Sequence, residues 1–113
     1  MRNGVRRGEV WWVNFDPALG EEIRKRRPAI VVSNDSSNRY LNRFQVVPVT
    51  SNTERLYPSE ARVTVGGRVS KALADQIATA AGERFTVRIG RLSRDEMRSV
   101  ENAIRVQLGL SSE

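Results

Sequence analysis

The sequence predicts a mainly β domain with some α structure: an SH3-like half-open β-barrel, with a short helix after the second strand and an amphipathic C-terminal helix. Short apolar or alternating runs recur as far as Ile89, separated by turn residues such as Gly66-Gly67. From Ser93 the apolar period changes to that of a helix. The length of 113 residues allows one modest core, so 1–113 is expected to form a single domain.

The first strand is predicted over Glu9–Phe15, where apolar side chains fall on both sides, so both faces should be covered. Asp16-Pro17 breaks this strand and opens a loop that runs through Arg27. Pro28 is allowed as the first residue of the second strand, and the wholly apolar run Ala29–Val32 is typical of a buried strand.

The polar cluster Asp35-Ser36-Ser37-Asn38 predicts one helical turn that reaches Tyr40. A third strand follows over Phe44–Val49, and Pro48 indicates that it lies at an edge or contains a bulge. Further strands are predicted at 60–65, 69–74, 77–80 and 85–89, the first two joined by the glycine pair.

The C-terminal helix is marked at both ends. Ser93 and Glu96 form a capping-box pattern, and Gly109 is placed to end the helix in a left-handed conformation. Its apolar positions recur at helical spacing, at Met97, Val100, Ile104 and Leu108.

The amino-acid composition limits which side chains could act in catalysis and which partners the chain could bind. The chain has no cysteine, which excludes disulfides and thiolate metal sites, and no histidine, which removes the commonest general base near neutral pH. Catalysis would have to use carboxylates, Arg, Lys, Tyr or hydroxyl groups, and no metal site or cofactor is predicted. A formal charge of +6 favours an anionic partner. Without a long apolar stretch or an export signal, the chain is expected to act in the cytoplasm.

Four consecutive cations, Arg24-Lys25-Arg26-Arg27, stand between the first two predicted strands. A loop there could present them to a polyanion while the strands fix their position. From composition alone, a solvated basic loop is the more ordinary interpretation.

The stretch from Gly8 to Asn34, together with Val47-Pro48-Val49-Thr50-Ser51 and Ala72-Leu73-Ala74-Asp75-Gln76-Ile77, resembles the MazF/PemK/Kid family of toxin endoribonucleases from bacterial toxin–antitoxin systems. The resemblance covers nearly the whole chain and implies the same barrel fold.

The resemblance implies three catalytic residues. Arg27 matches the family's active-site arginine, whose guanidinium can hold two phosphate oxygens. Thr50 matches a threonine that lines the cleavage site, and Glu22 matches the acidic residue of a Gly-x-Glu loop, where it could orient Arg27 or act as a base. On the bare sequence, Thr50 is an ordinary strand residue and Glu22 an ordinary solvated charge.

RNA contacts are expected from a wider set of polar and basic side chains, namely Arg24, Lys25, Arg26, Ser51, Asn34 and Gln76. Asn34 could equally belong to a capped turn, and Asp16 is favoured as a turn former. For Asp75 the resemblance suggests a buried structural role or an RNA contact. Trp11 and Trp12 could stack bases, but their strand position favours packing.

The chain departs from the Kid/PemK branch at two positions, where Leu73 and Ala78 replace arginines. That branch's Arg/Asp acid–base pair is therefore not carried over, and the group that removes the proton is left open.

The implied function is metal-independent cleavage of single-stranded RNA at a short sequence by the RNA's own 2′-OH, giving 2′,3′-cyclic phosphate and 5′-OH ends. The family also implies a homodimer and a cognate antitoxin with an acidic, largely disordered tail. Two alternatives remain open: a CcdB-like, gyrase-inhibiting toxin of related fold, and a non-catalytic RNA-binding barrel.

Overall fold

The computed structural model describes residues 4–16 and 25–111. Its strands are β1 Glu9–Asn14, β2 Arg26–Val31, β3 Arg43–Thr50, β4 Glu60–Val65, β5 Arg68–Leu73, β6 Ala78–Ala81 and β7 Phe85–Arg91. Its α-helices are α1 Asp35–Tyr40 and α2 Arg94–Leu108, and 3-10 turns lie at Ala74–Gln76 and Gly82–Arg84. The curled antiparallel sheet has the order β4-β5-β3-β2-β1-β7, with β6 also paired to β3. This confirms the predicted half-barrel with its two helices.

Successive side chains of β1 and β2 enter two separate cores. Val10 and Ile30 belong to the cluster that α2 covers through Val100. Trp11 and Ala29 point to the other side, into a cluster with its own aromatic centre. In this cluster Phe85 packs edge-on against both Trp11 and Phe44, with ring centroids 5.8 and 5.0 Å away. The prediction that both faces of the first strand are covered is therefore confirmed.

The second strand begins earlier than predicted. Arg26 and Arg27 are part of β2, where they pair with Asn14 and Val13 of β1. The expectation that these two arginines lie in a loop is wrong, because pairing with β1 continues through Pro28, opposite Trp12. A proline at a strand start predicts the boundary poorly when the neighbouring strand extends beyond it.

Pro48 does not place β3 at an edge. β3 is central, pairing with β2 on one side and with β6 and then β5 on the other. On that second side, β6 partners residues 43–46 and β5 partners residues 49–50. Pro48 lies in the interval between these two partners, where a missing N–H interrupts neither the β3–β6 nor the β3–β5 ladder.

The ends of α2 follow the predicted signals. Ser93 Oγ accepts from Glu96 N, and Glu96 Oε1 accepts from Ser93 N at 2.9 Å. Gly109 has φ 67°, the left-handed conformation of a helix C-cap. Leu108 differs from its predicted core position: it is 52% exposed, and Ala103 is buried instead.

Glu96 also connects α2 to the sheet, since its Oε2 accepts from Thr64 N at 2.7 Å. Burial alone would raise the pKa of Glu96, but hydrogen bonds from the Ser93 and Thr64 backbones and the Ser93 hydroxyl outweigh burial, so this pKa is lowered. The folded state therefore favours the carboxylate.

Glu96→Gln is expected to lower the free energy of unfolding by about 1 to 2 kcal/mol at pH 7, because it weakens the cap and the contact with β4. A folded-state pKa below the ordinary 4.5 means that the stabilisation is complete above that pH and is lost as the pH falls through the folded-state value. Urea unfolding of both proteins at neutral and acidic pH measures this loss in the free energy of unfolding. The exposed neighbour serves as control, with Asp95→Asn costing less than about 0.5 kcal/mol. A Glu96→Gln loss that stayed constant into acid would contradict the charge argument.

Candidate active site

The candidate site lies where β2 and β3 part. Their last pair is Ala29 opposite Pro48, and beyond it β2 pairs only with β1 and β3 only with β5 in the described chain. Continuing the same register by two residues brings Arg27 opposite Thr50. Alternation places both side chains on one face of the sheet. The two residues that the resemblance singled out therefore flank the same opening.

Arg27 combines a fixed backbone with an available side chain. Its backbone is paired with Val13 and precedes Pro28, which restricts it to extended conformations. The side chain is exposed, and its guanidinium forms no hydrogen bond or ion pair with any part of the chain that the structure describes. An arginine with a fixed backbone and an accessible guanidinium can donate to two oxygens of a phosphate in one plane.

Thr50 is half-buried at the end of β3, opposite Lys71 of β5. Its Oγ1 accepts from Asn52 N at 3.3 Å, which leaves the hydroxyl hydrogen able to donate to a ligand. Ser51, the next residue, is exposed. The pair can therefore offer hydroxyl groups to a phosphate held by Arg27.

Arg26 faces away from Arg27, as alternation requires. Its guanidinium carbon lies 4.7 Å from the centroid of the Trp12 ring, and its Nε donates to Thr86 Oγ1 at 3.3 Å. The basic run is therefore not one patch, since its last two members lie on opposite faces of β2. Trp11 is buried in the aromatic core, which confirms packing rather than base stacking for that residue.

Lys25 directly precedes β2 and has φ 63°, in the left-handed region. Its N–H donates to Asp16 Oδ1 at 2.9 Å, and its carbonyl accepts from Phe15 N at 2.9 Å. Asp16 therefore connects the end of β1 to the start of β2, whereas the turn predicted at Asp16-Pro17 extends outside the described residues. Glu22 and Arg24 lie outside the described residues.

Asn34 follows the other end of β2 from this opening, and Gln76 lies in the turn after β5. Asn34 caps α1, its Oδ1 accepting from Ser37 N at 2.8 Å, and lines a cavity of about 490 Å³ together with Gln45 and Ile77. Gln76 is half-buried in a 3-10 turn. Asp75 beside it is exposed, so a buried role for this aspartate is wrong. A surface turn leaves its carboxylate in solvent.

Asp35, at the start of α1, has a lowered pKa, chiefly because Arg7 N donates to its Oδ1 at 2.7 Å. The side chain of Asn38 and the charges of Arg6 and Arg91 act in the same direction, against burial. These contacts lie near the C-terminal end of β2, whereas Arg27 lies at its N-terminal end. Asp35 is thus a structural carboxylate rather than a group beside the opening.

Sequence reasoning missed Lys71. It is 8% exposed, and its Nζ lies 2.9 Å from Glu60 Oε1 and 2.7 Å from the Arg55 carbonyl oxygen that it donates to. Lysine is rarely buried unless it is paired. The sequence feature that indicated a buried lysine was its position between Val69-Ser70 and Ala72 in a predicted strand. Its place opposite Thr50 comes from the pairing of β3 with β5.

Across 4–16 and 25–111, no group of three or more His, Cys, Asp and Glu residues comes close enough to hold a metal ion. None of the helices in these ranges is long and apolar enough to cross a membrane.

Comparison with known proteins gives concordant matches. A family model described as "PemK-like, MazF-like toxin of type II toxin-antitoxin system" matches residues 6–108. Endoribonuclease MazF9 of Mycobacterium tuberculosis (strain ATCC 25618 / H37Rv) is 43% identical over 117 residues, 96% of this chain and 99% of that protein. The crystal structure of MazF from Deinococcus radiodurans is similar with a TM-score of 0.82 and 28% identity, covering 94% of this chain and 97% of that one.

A solved endoribonuclease from a mycobacterial species, in complex with its cognate antitoxin, has a TM-score of 0.82 at 21% identity and covers 97% of this chain and 100% of that chain. At this identity the likeness concerns the fold. The family match and the MazF9 relative both extend over nearly the whole sequence. The chain therefore belongs to the PemK-like, MazF-like toxin family of type II toxin–antitoxin systems.

Proposed function

We propose that this protein is a metal-independent endoribonuclease toxin that cleaves single-stranded RNA at a short recognition sequence. The observation that carries the proposal is the exposed Arg27 guanidinium, which has no partner among the described residues, beyond the last β2–β3 pair, where the continued register brings Arg27 opposite Thr50. A relative that is 43% identical over nearly its full length is an endoribonuclease, which supports the same activity here.

The reaction uses the substrate as its own nucleophile. The 2′-oxygen of one ribose attacks the adjacent phosphorus, and the bond from phosphorus to the 5′-oxygen of the next nucleotide breaks. The 2′-OH loses a proton and the leaving 5′-oxygen gains one, so the products carry a 2′,3′-cyclic phosphate and a 5′-OH. An internal nucleophile requires alignment and charge stabilisation rather than a histidine or a metal ion.

The proposed residues act at different points of the reaction. Arg27 binds two non-bridging oxygens and stabilises the negative charge that grows at phosphorus. Thr50 donates its hydroxyl hydrogen to a phosphate oxygen, and Ser51 extends this contact. Glu22 orients Arg27 or accepts the 2′-OH proton, while Arg24, Lys25, Arg26, Asn34 and Gln76 contribute RNA contacts outside the reacting phosphate.

Two partners complete the proposal. The matched family acts in type II toxin–antitoxin systems, and a protein of the same fold forms a complex with its cognate antitoxin. We assign to this chain an antitoxin with an acidic disordered tail, since a net charge of +6 would speed association with it. A homodimer and a cytoplasmic location are part of the same proposal.

Product analysis tests the activity. Purified protein and RNA are incubated in EDTA, and the products are labelled at their 5′ ends by polynucleotide kinase without phosphatase treatment. We expect new 5′-OH ends at a short common sequence, with Arg27→Ala as the control that separates this activity from a contaminating nuclease. RNA binding without new ends would favour a non-catalytic barrel, and loss of gyrase-dependent DNA relaxation without RNA cleavage would favour a CcdB-like toxin.

A further inference from the structure

The segment 51–59 follows Thr50 directly and carries two large exposed side chains. Tyr57 is 52% exposed and Leu56 is 49% exposed. An exposed aromatic ring such as that of Tyr57, on a segment beside a candidate RNA site, can stack on a base, because every base has a π-face. Their position would matter only if the segment were held in place.

A buried ion pair holds it. Lys71 Nζ and Glu60 Oε1 are 2.9 Å apart, and each side chain is 10% exposed. Lys71 Nζ also donates to the Arg55 carbonyl at 2.7 Å, and it lies 5.7 Å from the centroid of the Tyr57 ring. This lysine therefore contacts the segment at Arg55 and at Tyr57, and its own backbone is fixed in β5.

Glu60 completes the attachment from the other side. Its Oε1 accepts from Tyr57 N at 2.9 Å, and its own N–H donates to the Tyr57 carbonyl at 2.9 Å. Ala74 N reaches the Ser59 carbonyl at 3.1 Å. Burying a charge is costly unless it is paired and hydrogen-bonded, so an arrangement that satisfies both Lys71 and Glu60 defines one conformation of the segment.

The same lysine adjoins the proposed reaction site, because Lys71 is the register partner of Thr50. One face of the Tyr57 ring is near the Lys71 ammonium group, and the exposed part of the ring is open to a ligand. We propose that Lys71 is a positioning residue: paired with Glu60 beneath the segment 51–59, it holds Tyr57 beside Thr50 as a stacking platform for a base next to the scissile phosphate. This rests on the proposed RNA cleavage.

The test measures kcat and KM on a short RNA, together with base preference around the cut in a randomised RNA pool. Tyr57→Ala is expected to raise KM about ten- to a hundred-fold, the effect of losing one stacked base, with kcat within about three-fold of wild type. Tyr57→Phe keeps the ring and should keep KM. Stacking accepts every base and prefers some only modestly, so a modest base preference beside the cut should weaken in Tyr57→Ala alone of these two variants.

Lys71→Met tests the positioning role through a double-mutant cycle. If Lys71 acts through Tyr57, Lys71→Met raises KM in the wild-type chain but changes it little when Tyr57→Ala is already present. A lysine that only stabilised the fold would have the same effect in both backgrounds. Asp95→Asn, which breaks the exposed 3.2 Å ion pair of Arg98 with Asp95 on α2, is the control and should leave KM and base preference unchanged.

The outcomes separate this inference from the activity itself. Cleavage by wild type with unchanged KM and base preference in Tyr57→Ala overturns the inference and leaves the nuclease intact. An absence of cleavage by wild type overturns the proposed function, and the Kd of each variant for the same RNA then decides whether Tyr57 binds a base. If Lys71→Met does not fold, the comparison of Tyr57→Ala with Tyr57→Phe still decides whether Tyr57 is a stacking platform. Lys71→Arg then takes the place of Lys71→Met in the double-mutant cycle.

Discussion

Arg27→Ala is expected to lower the single-turnover cleavage rate by about a hundred- to a thousand-fold, equivalent to roughly 3 to 4 kcal/mol of lost transition-state stabilisation. The reason is its place in the sheet. Its backbone is paired with Val13, its guanidinium is unengaged by the described chain, and it flanks the opening opposite Thr50. The paired backbone fixes where this side chain begins, and a bound phosphate that accepts two hydrogen bonds would order the guanidinium.

Arg27→Lys separates geometry from charge. Lysine keeps the positive charge but cannot hold two oxygens in one plane, so most of the rate loss should persist while RNA affinity changes little. Arg43→Lys is the matched control, because Arg43 is an exposed arginine at the far end of β3. Rates and affinities are measured side by side. An Arg27→Lys enzyme within a few-fold of wild type would reduce Arg27 to a point charge in a basic region.

Local signals in the sequence predicted the elements that depend on local physics. The capping box at Ser93, the glycine at 109 and the paired glycines 66–67 each meet a backbone requirement within a few residues, and each is found as predicted. β4 was predicted to the residue, because alternation and a tight hairpin define it without reference to the rest of the chain.

Elements that depend on distant pairing were predicted less well. The start of β2 is determined by how far β1 extends beside it, and the tolerance of Pro48 depends on a gap between two partner strands. Neither the pairing order nor the register can be read from a single strand. These non-local contacts moved Arg26 and Arg27 from a loop into the sheet.

The same limit applies to the site. Residue patterns alone favoured a solvated loop for Arg27 and an ordinary strand residue for Thr50, and only the resemblance singled them out. Their shared opening follows from the β2–β3 register, which no local pattern encodes. Lys71 was missed because a lysine in a short strand looks like a surface residue until β4 supplies Glu60 beside it.

Replacing one ribose by deoxyribose, on the 5′ side of the scissile phosphate, is expected to abolish cleavage. That substitution removes the proposed nucleophile, whereas its effect on binding should be small because one hydrogen-bonding hydroxyl contributes only about 1 kcal/mol. The measurement is single-turnover cleavage of an RNA that carries the substitution at the cut, with Kd determined on the same oligonucleotide.

A matched substrate carries the deoxyribose one nucleotide further from the cut. It loses a hydroxyl but keeps the nucleophile, so it should be cleaved within about ten-fold of all-ribose RNA if the lost group contributes about 1 kcal/mol. Normal cleavage of the first substrate would require water or a protein group to attack phosphorus. Its product would then lack a cyclic phosphate, and the roles proposed for Arg27 and Thr50 would have to be assigned to a different reaction.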